Sequence, residues 1–177
     1  CIRDRPFVVA LGDSIIGMHA QSDIVRRMID CFFDTGASAV IAFERVPMTE
    51  VHQYGIAEPR SDGDVFEVAD LIEKPAPHEA PSNLAIAARY VLDSKIFEAL
   101  RRTGPGKGGE IQITDAIRLM LKEGGKVYGV CLRPGERRYD IGNFQSYFRA
   151  FVEFALADEK EGQLLREYLE RLIAGNS

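Results

Sequence analysis

Two unbroken apolar runs, Phe7-Val8-Val9-Ala10-Leu11 and Ala39-Val40-Ile41-Ala42-Phe43, bracket a single amphipathic segment. Runs of this length without polar alternation suit strands covered on both faces, as in parallel α/β sheets. Between them, Ile24, Val25, Met28, Ile29, Phe32 and Phe33 fall on one helical face, with Arg26, Arg27 and Asp30 opposite. Ser22 or Asp23 can cap that helix, and Gly36 can end it. Strand, helix, strand is a βαβ unit, so the two strands are expected to run parallel and the fold class is α/β.

A second constraint lies at Asp70-Leu71-Ile72-Glu73-Lys74-Pro75, followed by Ser82-Asn83-Leu84-Ala85. Val68, Leu71 and Ile72 lead in as a buried strand. Pro75 and Pro77 then deny the ladder an N–H, so Glu73 and Lys74 sit where the strand leaves its sheet. In open α/β sheets that edge is where ligands bind. A carboxylate accepts hydrogen bonds from sugar hydroxyls, and an ammonium pairs with phosphate, so the two suit a sugar phosphate. They read equally well as a surface ion pair. Neighbours on a regular strand point to opposite faces. For both to serve one ligand, the strand must twist or end between them.

Asp13, just past the first apolar run, can hold a cation or simply form a turn. Arg60-Ser61-Asp62-Gly63-Asp64 is a turn joining a hairpin around Ile56 and Phe66. Leu84 to Leu92 is a strand interrupted only by Arg89, and Asp93 or Ser94 caps a short helix through Ile96, Phe97 and Leu100. Thr103 to Gly109 is glycine-rich but is no P-loop, because Lys107 is not followed by Ser or Thr. Ile113, Ile117, Met120 and Leu121 then mark a helix that stops at Gly124-Gly125, and a strand follows over Lys126 to Leu132. Asp140 precedes a glycine and two helical segments, Phe144 to Leu156 and Lys160 to Ile173. The aromatic stripe of the first of these is core or interface rather than a cofactor box.

Composition removes several classes. The 177 residues carry a formal net charge of -5 with interspersed signs, a poor match for nucleic acid. No apolar run is long enough to span a bilayer. Cys1, Cys31 and Cys131 are scattered and odd in number, which favours reduced thiols in a cytoplasmic protein over a disulfide framework or zinc site.

Several stretches together resemble the bacterial UTP–glucose-1-phosphate uridylyltransferases, or UDP-glucose pyrophosphorylases, among the sugar nucleotidyltransferases. They are Phe7 to Asp13, Tyr54-Gly55, Leu71 to Pro75, Ala80 to Ala85, Arg89 to Leu92, Pro105 to Ile117 and Arg138 to Asn143. The resemblance covers nearly the whole chain in order. It implies a Rossmann-like mixed sheet flanked by helices, incomplete at its N-terminus. Residues 1–157 would be the sugar- and metal-binding part of the transferase domain, and 158–177 a C-terminal helix for docking or dimer contact. The implied reaction joins UTP and glucose 1-phosphate into UDP-glucose and pyrophosphate with magnesium, in a homo-oligomer. A sugar-1-phosphate thymidylyltransferase and a non-catalytic sugar-phosphate-binding homologue are the alternatives.

Carried over by position, the resemblance makes Asp13 and Asp140 the metal aspartates, and Lys74 with Asp13 the catalytic pair. Glu73 binds sugar hydroxyls, Lys74 the sugar phosphate and the Gly55 backbone the pocket, with Asn83 and Glu110 nearby. Ser14 stands where the family usually has a second Asp. The family's glycine-rich nucleotide loop, with its Arg and Lys, has no counterpart before Phe7. These 177 residues alone are therefore expected not to turn over UTP.

Overall fold

A computed structural model describes residues 5–17, 22–106 and 109–175; Cys1 and Lys107 lie outside them. The chain divides into two compact units, one of residues up to Leu11 with Asp23–Pro134, the other of Gly12–Ser22 with the residues from Gly135 onward.

The first unit is built on a six-stranded mixed sheet. Its strands are β1 (Phe7–Ala10), β3 (Ala39–Arg45), β4 (Gly55–Pro59), β5 (Val65–Glu73), β6 (Leu84–Leu92) and β7 (Val127–Cys131), while β2 (Ser14–Ile16) belongs to the second unit. The order across the sheet is β1-β6-β3-β7-β5-β4, and one bridge between Ile56 and Ala85 brings β4 back to β6. Helices α1 (Ile24–Thr35), α2 (Ile96–Arg102) and α3 (Ile113–Lys122) cover it. Helix α1 packs on β3, β6 and β7, and α3 on β5 and α2. Ile41, Phe43, Leu71, Leu92, Ile96 and Ile117 are essentially excluded from water in a single core cluster. Each such side chain contributes about 1.5–3 kcal/mol of transfer free energy.

The βαβ expectation of parallel strands holds, although the two strands are not neighbours. β1 and β3 are both antiparallel to β6, with Leu92 pairing Phe7 on one side and Ala39 on the other. β1 and β3 thus run the same way with β6 between them. β1 is also not covered on both faces. Phe7 and Val9 pack against the core, with Phe7 stacked on Phe97 at 5.2 Å, while Val8 is 43% exposed. An apolar run reports that one face is buried; it does not report that both are. Gly36 closes α1 in the left-handed conformation (φ 63°), as its position predicts. Asp23 occupies the N-cap position but makes no cap bond. Its carboxylate instead takes Arg27 at 2.7 Å and Arg133 at 2.9 Å, since two guanidiniums outcompete the helix N–H groups.

Two bulges shape the strands that reach the candidate site. In β6, Ile41 pairs with Tyr90 and Phe43 with Ile86, so the strand carries extra residues opposite Ala42. Ala88 there has φ 55°, and the Arg89 guanidinium donates to the Ala88 carbonyl at 2.9 Å. The polar interruption at Arg89 is the sequence trace of that bulge. In β5, Glu58 pairs with Asp70 while Pro59 pairs with Val68, leaving Ala69 as the extra residue.

The second unit holds the two-stranded ladder of β2 and β8 (Arg138–Asp140), with Ser14 opposite Asp140, and the helices α4 (Phe144–Leu156) and α5 (Gly162–Ala174). Tyr139 packs on Phe154 at 5.0 Å and lies under the Arg137 guanidinium at 4.9 Å. Asn143 caps α4 by accepting the Ser146 N–H at 3.0 Å. The α4 aromatic stripe is exposed within this chain, Phe144 at 78% and Phe151 at 62%.

Candidate active site

The β5 bulge decides where Glu73 points. Phe66 and Val68 lie in the core cluster at even positions. After the extra residue Ala69, the cluster continues at Leu71, an odd position, and Glu73 shares that phase. A regular strand would have turned Glu73 to the other face. Glu73 accordingly meets α3, where the Thr114 hydroxyl donates to its Oε2 at 2.7 Å. Thr114 is only 4% exposed, so its hydroxyl needs such a partner. Burial, and then the Glu73 charge, push the Tyr90 phenol far above its ordinary value, so Tyr90 stays neutral beside the carboxylate.

Gly55 pairs with Glu73 across the β4–β5 ladder. A methyl group there would stand 2.7 Å from Ile86 Cδ1, 3.0 Å from Glu73 Oε2 and 3.3 Å from Thr114 Oγ1. Only glycine lets Ile86, Thr114 and the Glu73 carboxylate pack this closely on the β4 backbone.

The strand ends between Glu73 and Lys74, as a shared ligand requires. Lys74 adopts a left-handed backbone with φ 48°, and its N–H is held by the Tyr54 carbonyl at 2.9 Å. Strand alternation therefore stops at Glu73. A left-handed non-glycine residue is disfavoured by about 1–2 kcal/mol. The following proline restricts it further. Such strain persists where surrounding structure over-determines it, most often at ligand sites.

Asn83 and Glu110 stand differently. The Asn83 side-chain amide donates to the Val46 carbonyl at 3.2 Å, while the Asn83 backbone carbonyl accepts the Val46 N–H at 3.0 Å, bracing the chain leaving β3 against the start of β6. Glu110 is exposed on the loop before α3, its carbonyl accepting the Gly106 N–H at 2.8 Å.

Two residues outside the sequence-based set complete this part. Arg118, one turn after Thr114, reaches Asp70 with both prongs, Nε to Oδ1 at 2.6 Å and Nη2 to Oδ2 at 2.5 Å. Burial alone would raise the Asp70 carboxyl. The Arg118 hydrogen bonds, the Leu71 N–H and the Arg118 and Lys122 charges outweigh it and hold Asp70 below its usual range. A depressed carboxyl stabilises the fold above its unfolded pKa, and the contribution disappears as pH falls through the lower folded value. Both side chains are partly exposed, so screening keeps the pair near about 1 kcal/mol. Urea unfolding of Asp70→Asn is expected to show that deficit at pH 7 and a shrinking one below roughly pH 4.

In the second unit, Asp13 and Asp140 converge. The Asp13 carbonyl accepts the Ile141 N–H at 2.7 Å, extending the β2–β8 ladder by one bond. The Gly142 N–H fixes Asp140 Oδ1 at 2.8 Å. Asp140 Oδ1 and Asp13 Oδ2 lie 3.2 and 3.4 Å from the same point, the place a Gly142 Cβ would occupy. Both aspartates are exposed, whereas Ser14 is buried. No group of three or more His, Cys, Asp or Glu side chains gathers among the described residues. Two convergent, water-facing carboxylates fit magnesium, which takes one or two carboxylates and completes its shell with water and phosphate oxygens.

The first unit thus presents an acid–base strand end on a mixed sheet, and the second a turn with two paired carboxylates. The chain belongs to the nucleotidyl transferase family, whose model matches residues 1–156. Among curated relatives, it is 40% identical over 172 residues to UTP–glucose-1-phosphate uridylyltransferase 2 of Staphylococcus saprophyticus, covering 97% of this chain and 57% of that protein. The uridylyltransferase YngB of Bacillus subtilis is also 40% identical, over 97% of this chain and 56% of its own length. The chain thus spans rather more than half the length of the curated relatives it matches. UTP-bound UGPase from Acinetobacter baumannii superposes with a TM-score of 0.82 at 31% identity, covering 96% of this chain and 57% of that one. A UDP-glucose pyrophosphorylase complexed with UDP-glucose gives 0.75 at 35%, covering 83% and 55%. No helix among the described residues is long and apolar enough to cross a membrane.

Proposed function

We propose that the protein carrying this chain transfers the uridylyl group of UTP to glucose 1-phosphate, releasing pyrophosphate. A phosphate oxygen of the sugar phosphate attacks the α-phosphorus of UTP. The bond from that phosphorus to the bridging oxygen of the β-phosphate breaks, and pyrophosphate leaves with the electron pair. No protein nucleophile is required, so catalysis is positioning plus charge neutralisation. The Glu73 carboxylate accepts from sugar hydroxyls, beside the backbone of Gly55. Lys74 supplies its ammonium to the sugar phosphate. Asp13 and Asp140 would hold magnesium, which neutralises charge on phosphate oxygens when bound. Asn83 and Glu110 act at the pocket's margin. The protein works in the cytoplasm as a homo-oligomer, for which the exposed α4 stripe of Phe144 and Phe151 offers a contact surface.

The single observation behind this reading is the strand end. Glu73 is oriented by Thr114 and roofed over Gly55, with Lys74 leaving the strand in a strained backbone. A putative glucose-1-phosphate thymidylyltransferase of Bacillus anthracis superposes less well, with a TM-score of 0.64 at 27% identity, which favours the uridylyl reading. The test is UDP-glucose and pyrophosphate formation by the protein that carries this chain, given UTP, glucose 1-phosphate and magnesium. Product in equal amounts is expected, with dTTP a poor substitute. Product with dTTP alone, or glucose 1-phosphate binding without turnover, would overturn the proposal.

A further inference from the structure

Helix α3 meets β5 through two polar contacts. One is part-buried and neutral-to-charged, Thr114 Oγ1 donating to Glu73 Oε2 at 2.7 Å. The other is also part-buried but charged and two-pronged, Arg118 on Asp70 at 2.6 and 2.5 Å. Thr114 and Arg118 are four residues apart and so share a helix face. Asp70 is the first residue past the Ala69 bulge, and Glu73 is the last residue of the strand. We propose that Asp70 and Arg118 are a positioning pair for the acceptor site: they clamp α3 to β5 in the one rotation and register at which Thr114 holds the Glu73 carboxylate. This rests on the reading of Glu73 as the sugar-binding carboxylate.

The geometry favours positioning over mere cohesion. Hydrophobic contact between α3 and β5 already supplies cohesion through Ile117, Ala116 and Leu71, all in the core cluster. Such contact is non-directional and tolerates small rotations of a helix. A planar guanidinium on a carboxylate does not, because both prongs must meet both oxygens. The Leu71 N–H also binds Asp70 Oδ1, at 2.8 Å, so the carboxylate is itself fixed to the strand just beyond the bulge. A small roll of α3 would break the Arg118 fork, carry Thr114 off Oε2 and leave Glu73 free to turn. The pair touches no substrate; it acts through Thr114 and Glu73.

Steady-state kinetics on the enzyme carrying this chain test it. Arg118→Met is expected to raise KM for glucose 1-phosphate about five-fold, with KM for UTP unchanged and kcat within about two-fold. Thr114→Val should give a rise of similar size. The double variant should exceed neither single by much, since both act through one carboxylate. Arg118→Lys, the milder change, should recover the fold fully but the KM only in part, because an ammonium cannot fork. Equal rises in both KM values, no rise at all, or strict additivity in the double variant would overturn the proposal. Glu73→Gln separates the two levels. If it raises the acceptor KM while Arg118→Met and Arg118→Lys do not, the positioning pair alone is refuted. If it leaves the acceptor KM unchanged, the sugar-site reading falls and the pair with it.

Discussion

Lys74→Gly is expected to keep or raise the melting temperature while lowering kcat/KM for glucose 1-phosphate by about two orders of magnitude or more. The two effects have separate causes. Lys74 holds φ at 48° before a proline, a conformation glycine adopts freely. Removing the β-carbon relieves about 1 kcal/mol of strain, which offsets the entropy glycine adds to the unfolded chain. The loss of activity follows from removing an ammonium opposite phosphate, a charge-assisted contact of about 1.5–3 kcal/mol in binding and more where charge develops. Lys74→Ala should lose activity equally yet keep the strain, so it should melt below Lys74→Gly. A glycine variant that melts well below both would show that the side chain stabilises the fold and that the backbone strain is not held for function. Thermal unfolding of the three proteins decides it.

The second large effect is on the carboxylate pair. Asp140→Asn and Asp13→Asn are each expected to lower turnover at saturating magnesium by roughly 10²–10³-fold, in line with the several kcal/mol a metal supplies to phosphate chemistry. Binding is the cleaner readout. Manganese, followed by its electron paramagnetic resonance as it replaces magnesium, should bind the unaltered protein and bind either variant at least ten-fold more weakly. Gly142→Ala should act in the same direction. Its methyl would fall 3.2 Å from Asp140 Oδ1 and 3.4 Å from Asp13 Oδ2, spreading the two groups without removing either charge. Undiminished manganese binding in Asp140→Asn would take that residue out of the metal site.

The strand end was legible in the sequence because it follows from local chemistry, whereas Asp140 was singled out by the family resemblance alone. Prolines terminate a ladder, and an acid after an apolar run lies at a strand's exit. Helix α3 was legible from its periodicity, and Gly36 from its place after the last apolar residue of α1. What escaped was set by register. Nothing local announces that Ala69 is extra, yet it decides which face Glu73 shares with Leu71. Thr114 sits in the first turn of α3 and reads as an ordinary helix-start residue. Its partner lies 41 positions earlier, and only the packing of α3 on β5 brings them together. The insertion of β6 between β1 and β3 is likewise a long-range pairing, which a strand–helix–strand pattern does not contain. A buried threonine must find a partner, and an arginine in an otherwise apolar strand is unusual. Those two facts, at Thr114 and Arg89, were the signals available.

The proposed acceptor-sugar site is the Glu73 carboxylate beside Gly55, with Lys74 at the sugar phosphate. A crystal structure of the protein carrying this chain, soaked with UDP-glucose, tests it directly. The glucose hydroxyls are expected on the carboxylate of Glu73 beside Gly55, with Thr114 still on Glu73 Oε2 and the Lys74 ammonium within hydrogen-bond distance of the sugar-linked phosphate. Glucose density elsewhere on the chain, with Glu73 and Lys74 facing solvent, would contradict it.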